Sequence, residues 1–436
     1  MSSLNRKAKS VTEQNYHGLA VKKLKAEDQL TRLTLAHMLF EDQFYIDGQS
    51  SADALKAAVK AANPAYTVAL AKTARTQYKL RHVPLLLVRE LVRNGNIKAA
   101  EIADVIQRPD EMGELLAIYN AEKRQPLAHQ LKKGLALAFG KFNEYQLAKH
   151  DKNSAAYSVR DVMFMVRPKP VSETQVALFK RISEGQMVTP DTWETQLSAG
   201  ADKRETFERL MAEKKLGAMA FLRNLRNMDQ AGVSSTVIRN YAQTLDVNNV
   251  LPFRYIAAAR VVPQFEDMLE AMMFRSLESV EKLPGKTRLL VDVSSSMYTP
   301  KVSAKSDITR QDASLALAML CREVCEQVEI YSFSGKALRI APRRGFALAD
   351  AIKTSQGCSG TYLAQSIRDT DGEYDRTIVI TDEQSSDMVT APKGHTKGYI
   401  INVGAYKNGV NHTAWTTVTG FSEAVLDYIK AVEKLS

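Results

Sequence analysis

The residues best placed to do chemistry stand at the ends of short apolar runs late in the chain. Asp292 closes Leu289-Leu290-Val291 and opens the pattern Asp292-x-Ser294-x-Ser296. Thr361 follows the glycine-flanked loop Gly357-Cys358-Ser359-Gly360, and Asp382 follows Thr377-Ile378-Val379-Ile380-Thr381. Two carboxylates and three hydroxyls are hard oxygen donors. They suit Mg²⁺ first, then Mn²⁺ or Ca²⁺, and do not suit a soft zinc site. Because the hydroxyls are neutral, a bound ion keeps residual positive charge and can attract an external carboxylate or phosphate. Asp and Ser also form ordinary turns and helix caps. The metal reading therefore requires all three segments to meet at one place.

Other chemistries fit less well. Gly285-Lys286-Thr287 imitates the end of a phosphate-binding loop, but Val280 stands where the earlier glycine is required and the segment precedes a strand. The Asp292 pattern lacks the second aspartate of haloacid-dehalogenase phosphotransferases, and no His-Glu-x-x-His occurs. A nucleophilic Ser294 or Ser296 would need a base, and His395 and His412 are the nearest histidines by sequence. Cys321 and Cys325 lie one turn apart and are expected to pack rather than bind metal.

The elements that must position these residues change character at Pro284. Beyond it, β-branched runs alternate with helical patterns: Arg288–Val293, Asp312–Glu326, Val328–Phe333, Thr361–Arg368, Thr377–Thr381, Tyr399–Val403 and Ser422–Lys434. This alternation predicts an α/β sandwich with a mostly parallel sheet, whose ligands bind at the C-terminal strand ends. Before Pro284, from about Asn15 to Arg275, the pattern is helical. Leu19, Leu24, Leu30, Leu33, Leu35, Met38 and Leu39 punctuate its first segment, and Ser51 reads as a cap. Pro64, Pro84, Pro109, Pro126, Pro190, Pro252 and Pro263 fall near new apolar-periodic runs, as expected of helix boundaries. Helix pairs of this kind suggest a HEAT-like solenoid, although no sharp repeat of about 40–47 residues is present. The expected division is 1–283, mainly α, and 284–436, α/β.

Two helical stretches carry the basic candidates. In Leu131–Tyr145, the spacing of Leu131, Leu135, Ala138, Phe142 and Tyr145 predicts one buried face, leaving Lys132, Lys133 and Lys141 off it. Lys149, His150, Lys152, Arg160, Arg167 and Lys169 follow, with Tyr145 and Tyr157 interleaved. In Met219–Met228, Arg223 and Arg226 are one turn apart, as are Asn224 and Asn227. Guanidinium forks bind phosphate and stack on bases. Pairing with acids on neighbouring helices is the competing reading.

Charge follows the same division. The net charge is +10, yet residues from Pro284 onward hold 18 Lys+Arg against 17 Asp+Glu. The first 283 residues thus carry +9, a balance that favours a polyanion such as RNA. Three cysteines provide no disulfide framework and fit a reducing compartment. No run approaches the ~18 apolar residues of a membrane span, and the N-terminal residues lack a signal-peptide core. A cytoplasmic protein that does not engage membrane is expected.

Asp292, Ser294, Ser296, Thr361 and Asp382 resemble the metal-ion-dependent adhesion site of a von Willebrand factor A domain. Ala148-Lys149-His150, Val159-Arg160-Asp161-Val162, Val166-Arg167-Pro168-Lys169-Pro170 and Leu216–Leu225 resemble the TROVE domain of the Ro autoantigen family. That family often has histidine where Val159 and Arg167 stand. The resemblance implies a ring of HEAT-like helices closed by the A domain. It also implies a non-enzymatic ribonucleoprotein in RNA quality control, binding small non-coding Y RNA outside and single-stranded 3′ ends of misfolded RNA inside. Lys132, Lys133, Lys141, Lys149, His150, Arg160, Arg167, Lys169, Arg223, Asn224 and Arg226 are the RNA candidates of a protein expected to be monomeric. A protein adaptor working through its metal site, with a ribonuclease or other protein as partner, is the alternative. A metal-dependent hydrolase is the third reading.

Overall fold

The computed structural model describes residues 25–35, 48–122, 126–151, 155–248, 250–300, 308–357, 359–382, 385–394, 396–403, 414–419 and 424–435. The chain separates into two compact units, one comprising 26–35 and 52–276, the other chiefly 277–436.

The first unit is helical. Its elements are α1 Ala26–Leu35, α2 Gly48–Ala61, α3 Pro64–Thr76, α4 His82–Arg93, α5 Ala99–Val105, α6 Pro109–Asn120, α7 His129–Phe139 and α8 Glu144–His150. They continue with α9 Val159–Val166, α10 Glu173–Glu184, α11 Trp193–Ser198, α12 Lys203–Ala212, α13 Ala218–Gln230, α14 Ser235–Thr244, α15 Phe253–Val261 and α16 Glu266–Leu277. Local chemistry sets these boundaries. Asn63 caps α3 through the amides of Ala65 and Tyr66, with Pro64 in the first turn. Ser158 and Asp161 form a reciprocal capping box on α9. Gly185 ends α10 in the left-handed conformation. Arg167 ends α9 the same way at φ 51°, a backbone state that costs a side-chain-bearing residue about 1–2 kcal/mol.

The stretch Leu131–Tyr145 is not one helix. α7 stops at Phe139, and Asn143 starts α8 by exchanging hydrogen bonds with Gln146. Local capping thus overrides the apolar periodicity. Leu131, Leu135, Ala138 and Phe142 are buried as expected, but Tyr145 is 47% exposed. The α5–α7 approach depends on Gly134, where an added Cβ would sit 2.7 Å from Ile102 Cβ. Likewise α2 begins at Gly48, ahead of Ser51. Leu30, Leu33 and Leu35 are buried in α1, while Leu19, Leu24, Met38, Leu39 and Lys152 lie outside the described residues.

The second unit is an α/β layer structure. Its strands are β1 Leu283–Asp292, β2 Cys325–Phe333, β3 Ala337–Arg339, β4 Arg376–Thr381, β5 Lys397–Asn402 and β6 Trp415–Thr419. Helices α17 Arg310–Val324, α18 Gly345–Lys353, α19 Leu363–Asp369 and α20 Val425–Leu435 connect or follow them. The strand order is β3-β2-β1-β4-β5-β6, with only β3 antiparallel. Leu290, Val379 and Ile400 join Phe333, Leu363, Val389 and Trp415 in one core cluster. β1 and β4 are the middle strands, buried on both faces, which explains their near-continuous apolar character. The short edge strands β3 and β6 and helix α18 escaped the sequence reading because they carry few apolar periods. Among the described residues, no helix is long and apolar enough to cross a membrane.

Candidate functional site

β1 ends on Asp292 and β4 delivers Asp382 from the adjacent strand. Asp292 Oδ1 accepts the Ser294 amide at 2.8 Å, and Oδ2 accepts the Thr381 hydroxyl at 2.6 Å. Ser294 Oγ and Ser296 Oγ are 3.2 Å apart. Thr361 is held by its backbone neighbours. Tyr362 N donates to Ser334 O beyond β2, and Ser386 N donates to Thr361 O from beyond β4. Since β1 lies between β2 and β4, this segment must cross the end of β1, where Asp292 stands. The sheet topology therefore gathers Asp292, Ser294, Ser296, Thr361 and Asp382 at one edge.

Two buried carboxylates stand at that edge. Asp292 is fully buried, and burial first, then the charge of Asp382, pushes its pKa up to about 6 against the hydrogen bonds from Ser294 and Thr381. No group of three or more His, Cys, Asp or Glu side chains converges among the described residues, so any metal here relies on hydroxyl donors. The donor set fits a hard ion held by Asp292, Ser294, Ser296, Thr361 and Asp382. Bound there, such an ion would supply a Lewis-acidic position for an acidic ligand group.

Sequence reasoning missed two groups at this edge. Asp387 caps α19 by accepting the amides of Ala364 (2.9 Å) and Gln365 (2.7 Å), which orders the segment behind Thr361. Arg310 Nη1 lies 3.2 Å from Asp382 Oδ2, with both side chains buried. Arg310 stands at the first position of α17, where the helix dipole opposes a cation. No motif flags such a residue. The available clue was an arginine directly after the Thr309 capping position.

In the helical unit the predicted basic residues separate into groups. Lys149 and His150 on α8 share a cavity of about 390 Å³ with Arg108, Trp193, Lys215 and Arg223. Arg223 and Met219 also line a second groove, of about 550 Å³, with Arg226 on α13 and Arg254 on α15. Its floor is aliphatic: Leu222, Ala257, Val261 and Val262. Arg223 and Arg226 were expected; Arg254 was not, because one arginine in Phe253–Val261 has no spacing signal. All three are exposed, and none has a carboxylate partner among the described residues. Pairing with acids, the competing expectation, does not occur among the described residues. The first cavity is mixed in charge, since Glu194 and Asp246 line it.

Other candidates lie elsewhere. Lys141 donates to the carbonyls of Ala103 (2.8 Å) and Ile106 (2.7 Å), capping the end of α5, and burial lowers its pKa. Asn224 is buried and donates to Ala220 O at 2.9 Å within α13. Both are engaged in the fold rather than presented to a ligand. Lys132, Lys133, Arg160, Arg167 and Lys169 line neither cavity. Arg160 stacks 5.6 Å over Phe164, itself 54% exposed, and Lys149 lies 5.5 Å over Tyr145. Tyr157 accepts a hydrogen bond from Asn120 at 3.1 Å. His150 Nδ1 sits 3.3 Å from Arg108 Nη2.

The chain thus joins a helical module with a cationic groove to an α/β sheet with an oxygen-rich edge. A family model described as the TROVE domain matches residues 181–354. The match starts within α10 and ends just past α18, so it crosses the change of architecture. Among solved structures, the chain is similar to the crystal structure of the Deinococcus radiodurans RO (RSR) protein. The two share 16% identity over 93% of this chain and 99% of that one, with a TM-score of 0.67. The family model spans less than half of this chain, and what the chain shares with the solved structure is the fold, a helical unit followed by an α/β unit.

Proposed function

We propose that this protein binds RNA without acting on it chemically. Single-stranded 3′ ends lie along the path from Lys149 and His150 through Arg223 to Arg226 and Arg254. The supporting observation is that Arg223 and Met219 line both cavities, joining two basic stretches distant in sequence. Three exposed guanidiniums over an aliphatic floor suit a flexible phosphate chain, since they can follow phosphates and stack on bases of any identity. The half-buried Lys132 and the exposed Lys133, Arg160, Arg167 and Lys169, with the Arg160–Phe164 and Lys149–Tyr145 stacks, present a second surface for a structured, Y-like RNA. Together these surfaces suit RNA quality control. In this reading 1–283 is the RNA-binding domain, and 284–436 contributes a metal edge that captures an acidic group of a protein partner, a ribonuclease among the candidates.

The test is binding to RNA with a single-stranded 3′ tail against a blunt duplex across a salt series. The tailed RNA is expected to bind more tightly, with affinity falling steeply as salt rises. Equal affinity for both RNAs with a flat salt response would overturn the proposal.

A further inference from the structure

The edge at Asp292 holds a cation of its own. Arg310 is buried at the start of α17, where the helix dipole disfavours it, and its guanidinium therefore needs a nearby anion. Asp382, with no exposed surface, needs a cation equally, and the two meet at 3.2 Å. The position is rigid. Thr309 and Asp312 exchange hydrogen bonds around the helix start, and the Arg310 amide donates to Pro300 O at 2.9 Å. A divalent ion seeking Asp382 must compete with this guanidinium and then sit beside its charge. Both effects weaken metal binding.

We propose that Arg310 sets the divalent-cation affinity of this edge, holding Asp382 as a resident counter-charge so that the α/β unit folds without metal and loads it weakly. The inference rests on reading the Asp292 edge as a cation site. Arg310 is thus a positioning residue. It keeps Asp382 oriented and raises the free-ion concentration at which the site fills. When metal takes Asp382, the displaced guanidinium becomes a second attachment point for an acidic ligand.

Mn²⁺ binding to the full chain, followed by calorimetry and by the spin resonance of free Mn²⁺, tests this. Wild type is expected to bind only at millimolar Mn²⁺. Arg310→Gln should bind roughly tenfold more tightly or better, the effect of removing one adjacent charge. Arg310→Lys, which keeps the charge, should stay within about threefold of wild type. Chelator should leave the wild-type melting temperature unchanged and lower that of Arg310→Gln, with Mn²⁺ restoring it. Equal Mn²⁺ affinity in wild type and Arg310→Gln overturns the role of Arg310 alone. Absence of binding to either at millimolar Mn²⁺ overturns the cation-site reading and this inference with it. Should Arg310→Gln not fold, wild type decides: micromolar Mn²⁺ affinity, or a melting temperature that falls in chelator, overturns the proposal.

Discussion

At the Asp292 edge of the sheet, charges are answered inside the fold. Along the α13–α15 groove they are not. Asp292 accepts hydrogen bonds on both oxygens, and Asp382 pairs with Arg310. Arg223, Arg226 and Arg254 face solvent and form no ion pair among the described residues. Elsewhere in the helical unit half-buried arginines do find partners: Arg181 with Glu144 at 2.7 Å, Arg209 with Asp191 at 2.9 Å, Arg239 with Asp267 at 2.7 Å. The three arginines of the groove make no such pair among the described residues. The difference teaches where an outside anion gains most. Displacing an internal partner costs energy, whereas an unpaired surface guanidinium only exchanges water and counterions.

The strongest way to break this contrast is to reverse the groove. Arg223→Glu, Arg226→Glu and Arg254→Glu together should weaken tailed-RNA binding by two orders of magnitude or more at low salt. The salt slope should flatten by about two, given ~0.7 for each single-strand phosphate that is no longer neutralised. Fluorescence anisotropy across a salt series reads both. Reversing Arg160 and Lys169, which line neither cavity, should lower affinity for structured RNA several-fold and leave tail binding within about twofold.

The paired acids of the sheet offer the next test. Glu329 accepts hydrogen bonds from Tyr374 (2.8 Å) and Tyr331 (3.0 Å) and pairs with Lys286 at 3.0 Å. The Tyr374 hydroxyl first, then Lys286, hold its pKa down at about 2. A depressed carboxylate stabilises the fold above its unfolded value near 4.5, and that contribution disappears as pH falls through about 2. Between those limits wild type should lose more stability than Glu329→Gln, by roughly 1–2 kcal/mol once solvent screening is allowed for. Denaturant melts at stepped pH measure it; parallel curves for the two proteins would contradict the pairing.

Two smaller effects separate packing from binding. Gly134→Ala forces α5 and α7 apart and should cost about 1–3 kcal/mol without changing RNA affinity of the folded protein. Arg167→Gly relieves the left-handed cap of α9 and should stabilise by about 1 kcal/mol. Tail binding in this variant should remain within about twofold, because Arg167 lies off the groove. A thermal melt paired with the anisotropy assay checks each variant.

Much was legible in the chain. The change of architecture near Pro284, the apolar strands ending in Asp292 and Asp382, and the guanidinium pair on α13 are local patterns, set by periodicity over a few residues. Capping is local too, yet the Asn143 box split Leu131–Tyr145 against its apolar spacing and exposed Tyr145. What the sequence alone determined is which side chains sit at strand ends and on helix faces, because backbone geometry fixes those over short range. Only the tertiary structure decided their neighbours. It put Arg310 against Asp382, Lys141 on the carbonyls of α5, Asn224 into the core, and Arg254 beside Arg223 and Arg226. The Arg310, Lys141 and Arg254 placements join elements far apart in the chain, where burial and charge balance choose the partner and no spacing rule reaches.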